Sequence, residues 1–407
     1  MHTSSTGDPA NALGPLSGGL GSSNVDVVVA GHICLDIIPS LNWNQQRPED
    51  LFVPGGLVHI GPATLALGGC VANTGQALHR LGAKARLVGK VGDDLLGKTI
   101  LESLRSQHAE LPESMIVAKG EATSYTIVIS PPGVDRCFLH CSGANDTFVA
   151  DDLHASTFGQ ARLLHFGYPP LMRSIAADAG RSLAGRFAEA QAAGLLVTLD
   201  MAMPAAGSEA TPVDWHQWLA NVLPHVDVFL PSYDELGVLL PTLRLPKTAR
   251  PGVDAQQLDV FTKELVSLGA PIIVVKLGDQ GLYLRTSDRV HHLSNRAAWA
   301  RCDWQSWHRR ELLAPCFEVD VVGTTGSGDC TIAGFLMALL QGAGPESALR
   351  LATAVGAHCV ESADATSGIP TSTQIEARLE SSWLQRAPAA TWSGWKLQPQ
   401  YGVYDAP

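Results

Sequence analysis

Gly323-Thr-Thr-Gly-Ser-Gly-Asp-Cys330 runs directly into the apolar stretch Thr331-Ile-Ala-Gly-Phe-Leu-Met-Ala-Leu-Leu340. A glycine-rich turn that opens a buried helix leaves backbone N–H groups converging on one spot. The helix dipole adds to their pull, so the spot favours an anion. Asp329 is then out of place unless it has a task. It either caps the helix or takes a proton from whatever attacks a bound phosphate. The loop is not a P-loop, since the Lys that ends Gly-x-x-x-x-Gly-Lys-Ser/Thr is absent.

The surrounding chain has the rhythm such a turn needs. Val25 to Ala30, Ala85 to Val91, Leu163 to Phe166, Leu195 to Asp200, Val226 to Leu230 and Pro271 to Lys276 read as strands. Gly69 to Leu81, Ser174 to Ala193, Ser232 to Leu240 and Leu258 to Leu268 read as helices between them. Such alternation predicts an α/β fold with right-handed βαβ units around a mostly parallel sheet. Ligands bind such sheets at the carboxyl ends of the strands. Two segments break the rhythm on one side: the Pro- and Gly-rich excursion at 37–62, and a hairpin at 122–143 whose strands flank Pro-Pro-Gly-Val-Asp. Another break, at 296–315, carries Trp299, Trp304 and Trp307, which read as packing rather than ligand contact.

With 407 residues, 45% hydrophobic and only 16% charged, the chain is long and apolar enough for a substantial core. A net charge of −11 offers nothing to nucleic acid or to an anionic membrane. The eight cysteines lack Cys-x-x-Cys spacing and read as free thiols in a reducing, cytoplasmic compartment. Residues 1–24 read as a flexible leader and 386–407 as a C-terminal extension, with one domain over 25–385.

Several of these signals occur in a familiar order. The chain resembles the ribokinase-like, or PfkB-type, family of carbohydrate and nucleoside kinases. The loop at Gly323 resembles that family's C-terminal signature. Gly68-Gly-Cys-Val-Ala-Asn-Thr-Gly75 and Val88-Gly-Lys-Val-Gly-Asp-Asp-Leu-Leu-Gly97 resemble the N-terminal one. The resemblance implies a three-layer α/β/α domain with a small β-sheet lid, the lid falling at 37–62 and 122–143. It implies an ATP- and Mg²⁺-dependent phosphotransferase acting on a sugar-like hydroxyl. Asp329 would be the base, and the amides of Gly326, Ser327 and Gly328 the anion hole. Asp36, Gly68, Gly69 and Asn73 would hold the acceptor, with Arg136 reaching down from the lid. Lys276, Gly278, Gly281, Ser232 and Thr325 would line the nucleotide site, and Glu235 would hold Mg²⁺ through water. A homodimer through the lid edges is a further expectation.

The chain departs from the pattern in places. Gly323 stands where the family carries an Asp that helps build a monovalent-cation site, so the resemblance leaves K⁺ activation open. Ser232 replaces an Asn. Two rivals remain at this point: a nucleoside acceptor, which Leu41, Trp43, Phe52 and Val53 in the lid do not decide, and a ligand-binding homologue without turnover.

Overall fold

The computed structural model describes residues 25–41, 54–130, 137–204, 213–244, 253–389 and 392–407. Among these residues the main sheet has ten strands. Six run parallel, in the spatial order Ile272–Lys276, Val228–Phe229, Leu196–Leu199, Leu163–Gly167, Val27–Gly31 and Ala85–Val88. Each is a short, wholly or nearly wholly apolar run, as strands covered on both faces must be. Leu282–Thr286, Glu311–Ala314, Val403–Asp405 and Lys396–Gln398 extend the sheet antiparallel beyond Ile272–Lys276. The C-terminal segment thus completes one edge of the sheet.

Alternation along Val27–Gly31 shows how the layers form. Val27 and Val29 enter one apolar cluster, together with helices Cys70–Arg80, Ser327–Leu340 and Pro345–Val360. Val28 and Ala30 enter the other, with helices Arg181–Ala192, Trp215–Val222 and Ala255–Leu268. The result is the expected α/β/α sandwich.

A second sheet of four strands forms the lid, in the order Ala63–Gly68, Cys34–Pro39, Tyr125–Ile129 and Cys137–Cys141. The hairpin expected at 122–143 supplies two of them. The excursion at 37–62 contributes only the end of a strand, to Pro39; residues 42–53, with Trp43, Phe52 and Val53, lie outside the described residues, as does Arg136. The lid grows out of the main sheet, since only His32 and Ile33 separate Val27–Gly31 from Cys34–Pro39.

Two elements differ from the sequence reading. Ala85 to Val91 is two strands, because the chain leaves the main sheet at Gly89 and Lys90–Gly92 pairs instead with Ile116–Ala118. The helix expected from Ser174 to Ala193 is interrupted at 177–180, where Asp178 and Ala179 take positive φ. The Asp178 carboxylate accepts the Ser182 N–H at 3.0 Å and so restarts the helix. The Trp-rich segment is packing, as the residues imply. Trp299, Trp304 and Trp307 are buried, and Trp307 sets its ring edge-to-face on Phe335 of Ser327–Leu340.

Candidate active site

The helix Ser327–Leu340 begins where the sequence places it, with Gly326 as its N-cap. Gly326 has φ 72°, and a Cβ there would stand 2.3 Å from Cβ of Ala365, so only glycine makes this turn. At Gly328 the reverse holds: an added Cβ would meet nothing nearer than the Lys276 stem at 3.5 Å. Protein packing does not demand a glycine there, and the open space faces the cavity. The Ser327 N–H is drawn back onto the Thr324 carbonyl at 3.3 Å. Of the three amides expected to form an anion hole, that of Ser327 is thus engaged within its own loop.

Asp329 sits in the first turn of this helix and is 2% exposed. Asn73 Nδ2 donates to its Oδ2 at 2.9 Å. The Tyr168 hydroxyl donates to Oδ1 at 2.8 Å and Oδ2 at 2.9 Å. Burial pushes the carboxyl above its ordinary range, against the downward pull of Asn73, Tyr168 and Lys276. An upward shift of this kind is what a carboxylate acting as a general base near neutral pH requires.

Lys276 ends its strand next to this acid. It is not solvated, as strand-end lysines often are. Its Nζ lies 2.6 Å from Oδ1 of Asp200, a wholly buried carboxylate at the end of Leu196–Leu199, two strands away across Val228–Phe229, and Asp200 Oδ2 has no partner among the described residues. Burial pushes Asp200 up, and Lys276 pulls it back down. Burial alone would lower the ammonium, but Asp200, Glu235 and Asp329 around it reverse that. Glu235 and Ser232 form a capping box, in which Glu235 Oε2 accepts the Ser232 N–H at 2.7 Å.

These residues surround a cavity of about 660 Å³ lined by Tyr168, Ser232, Glu235, Lys276, Gly326, Gly328 and Asp329, among others. A second, more apolar cavity of about 260 Å³ adjoins it, with Phe317, Val319, Val321, Gly356, Ala357 and Val360 in its wall. Lys276, Gly278, Thr324, Ser327 and Gly328 line both. Gly281 lines the second cavity too, although it is glycine for a local reason: its φ is 104° and a Cβ would strike the Ala314 carbonyl. Thr325 lines neither; its carbonyl faces the Cys359 thiol at 3.5 Å, and its neighbour Thr324 takes the lining position.

On the lid side, Asp36 and Gly68 meet across paired strands. A Cβ at Gly68 would lie 2.5 Å from Asp36 Oδ2, so the glycine makes room for the carboxylate. Gly69 packs its backbone on the His32 carbonyl. His140 of the lid reaches His32, ring nitrogen to ring nitrogen at 3.4 Å, and burial holds the His32 imidazolium down to about 3. Gly323 packs against the Ser362 carbonyl, which a Cβ would approach to 2.8 Å; an acid does not fit that backbone.

Sequence reasoning brought Asp329, Gly326, Gly328, Asn73, Lys276, Gly278, Ser232 and Glu235 to one place. It missed Tyr168 and the pairing of Asp200 with Lys276. The signal for Tyr168 was present: a polar aromatic just after a strand-end glycine and before Pro169-Pro170. The chain is similar to an uncharacterized sugar kinase of Archaeoglobus fulgidus, at 25% identity over 298 residues, covering 73% of this chain and 99% of that one. It is similar to fructokinase-1 of Zea mays, at 25% over 362 residues, covering 86% and 96%. Its fold matches that of Arabidopsis thaliana ribokinase complexed with ribose and ATP, with a TM-score of 0.64 at 22% identity over 88% of this chain and 99% of the other. The family model for pfkB family carbohydrate kinases matches residues 26–372, most of the described fold and every part of the site above, and the chain belongs to that family.

Proposed function

We propose that this chain transfers the γ-phosphoryl group of ATP to a hydroxyl of a sugar or sugar-like polyol, with Asp329 as general base. The observation that carries this is the buried, upshifted Asp329 at a helix mouth where two cavities meet. The apolar cavity suits an adenine, and the larger one suits the phosphates. Gly326 and Gly328 offer amides to the transferring group, and Lys276 adds positive charge beside it. The acceptor oxygen attacks the γ-phosphorus, its proton passes to Asp329, and the bond to ADP breaks. Asp36 and Asn73 orient the polyol, since a carboxylate can accept from two hydroxyls and an amide can both donate and accept. The unpartnered Asn73 Oδ1, buried beside the base, supports that role. The lid excludes water, the competing nucleophile.

The donor set fits Mg²⁺ held mainly by water and phosphate. Glu235 presents a hard oxygen ligand to the cavity, and no group of three or more His, Cys, Asp or Glu converges into a cage among the described residues. When bound there, the ion would neutralise charge on the phosphates. Eight free cysteines support a reducing compartment. Exposed Leu65, Phe138 and Leu139 on the lid support a second copy pairing there.

The test is Asp329→Asn, assayed for ATP consumption across a panel of sugars. Turnover should fall by about 10²-fold or more while nucleotide binding, read by thermal shift, persists. Turnover near that of the parent would remove Asp329 from this role.

A further inference from the structure

We propose that Tyr168 is a positioning residue that caps Asp329 until an acceptor arrives and so restrains transfer of the phosphoryl group to water; this rests on the phosphotransfer reading above. Its hydroxyl donates to both carboxylate oxygens, at 2.8 and 2.9 Å, while Asn73 holds only Oδ2. The oxygen that must accept a proton from an incoming alcohol is therefore already engaged.

The tyrosine is held there by built features. It lies at the end of the central strand Leu163–Gly167 with φ 67° and ψ 40°, a left-handed conformation that side-chain-bearing residues seldom adopt. Backbone of this kind persists where its surroundings over-determine it, and such residues gather at functional sites. Gly167 before it packs on Cys70, Pro169 follows, and the His32 ring lies 5.9 Å from the phenol ring. The phenol itself lines the larger cavity beside Asp329. Burial first, and then Asp329, push the phenol's own pKa well above 10, so it remains a donor.

The chemistry gives the cap a purpose. In transfer to water, the water oxygen bonds to the γ-phosphorus, its proton goes to Asp329, and ADP leaves with the electron pair of the broken bond. In transfer to a polyol, the alcohol oxygen takes the same path. A lone water has one or two hydrogen bonds with which to displace the phenol. A polyol held by several hydroxyls brings its reacting hydroxyl to Asp329 as one arm of a larger set of bonds. The cap thus discriminates by anchoring.

Other groups act on the same acid. Lys276, Asp200 and Glu235 face it from the strand ends and the helix after them, Cys70 from the helix Cys70–Arg80, Cys34 from the lid, and Cys330 from its own helix. All of them are unchanged in Tyr168→Phe, which removes the hydroxyl and keeps the ring.

In that variant, ATP hydrolysis without acceptor should rise about tenfold relative to acceptor phosphorylation. The acid limb of kcat/KM should move up by about one pH unit, because the ionised base has lost a charge-assisted donor. A merely structural tyrosine would move neither. If Tyr168→Phe folds poorly, a difluorinated tyrosine at position 168, a stronger donor of the same shape, should move the limb down and lower the hydrolysis ratio. A ratio or a limb indistinguishable from the parent overturns the proposal. Persistent transfer in Asp329→Asn would instead overturn the kinase reading beneath it, so the two failures are distinct.

Discussion

Replacing Lys276 by Met should expose how the site carries its charge. The ammonium stands 2.6 Å from Asp200, whose side chain is wholly buried, and is itself only 14% exposed. Removing it leaves a carboxylate with no counter-ion and one oxygen already without a partner. Breaking a buried pair in this way costs on the order of 3–5 kcal/mol. The acid has one escape, which is to take a proton. From an ordinary value of 3.8, protonation at pH 7 costs about 4 kcal/mol, and at pH 5 about 1.6 kcal/mol. In the parent the 2.6 Å pair keeps Asp200 ionised, and only the variant must protonate it; its folded-state pKa then lies above the unfolded one, so relative to the parent its stability is retained at low pH and lost as pH rises. Urea unfolding of Lys276→Met at pH 7, 6 and 5 should therefore show a deficit that shrinks toward acid. Lys276→Met with Asp200→Asn should recover most of the stability, since no charge is left buried, and yet lose turnover if Lys276 acts as proposed, beside the transferring group. A single variant as stable as the parent, or a deficit independent of pH, would refute the reasoning.

Two further outcomes follow from the geometry. Gly328→Ala meets no protein atom closer than 3.5 Å, so its thermal midpoint should equal or slightly exceed the parent's. Its methyl projects where the two cavities join, and the KM for ATP should rise about tenfold, or about 1.4 kcal/mol, in steady-state kinetics; unchanged kinetics would return that space to solvent. Burial holds His32 and His165 down to about 3, with His140 and Lys276 adding to it, so the fold keeps both neutral while the unfolded chain protonates them below about 6.5. Their lowered pKa values make stability full above pH 6.5 and lost as pH falls. Each should cost about 2 kcal/mol between pH 7 and pH 5, seen as a falling urea midpoint.

Much of this site could be read from spacing. The glycine loop, its acid and the apolar run after it are contiguous, so one stretch of chain specifies the helix mouth. Asn73 was legible because it sits one turn into a helix that opens on Gly69. Tyr168, Asp200 and Lys276 were harder, since they end or follow three strands, far apart in sequence, whose ends only the sheet order brings to one side of the site. Lys276 shows the limit most clearly: alone it reads as a solvated strand end, and only Asp200, 76 residues away, makes it half of an ion pair. The break at 177–180 was masked by the alanine-rich helical sequence around it; Asp178 and Gly180 are the poor helix formers there, and the Ser182 N–H donates to the Asp178 carboxylate instead of continuing the helix from Ser174.

The two residues between the main sheet and the lid have a mechanical consequence. Asn145 grips Ile33 on both sides, its Oδ1 accepting the Ile33 N–H at 3.3 Å and its Nδ2 donating to the Ile33 carbonyl at 2.9 Å. The strand Cys34–Pro39 beyond it is about 20 Å long at roughly 3.3 Å per residue. Any rotation about that clasp would use the strand as a lever arm. A turn of about 10° there carries the far end through about 3 Å, roughly one residue's rise. Small adjustments at the base of the arm thus become displacements of molecular size at its tip.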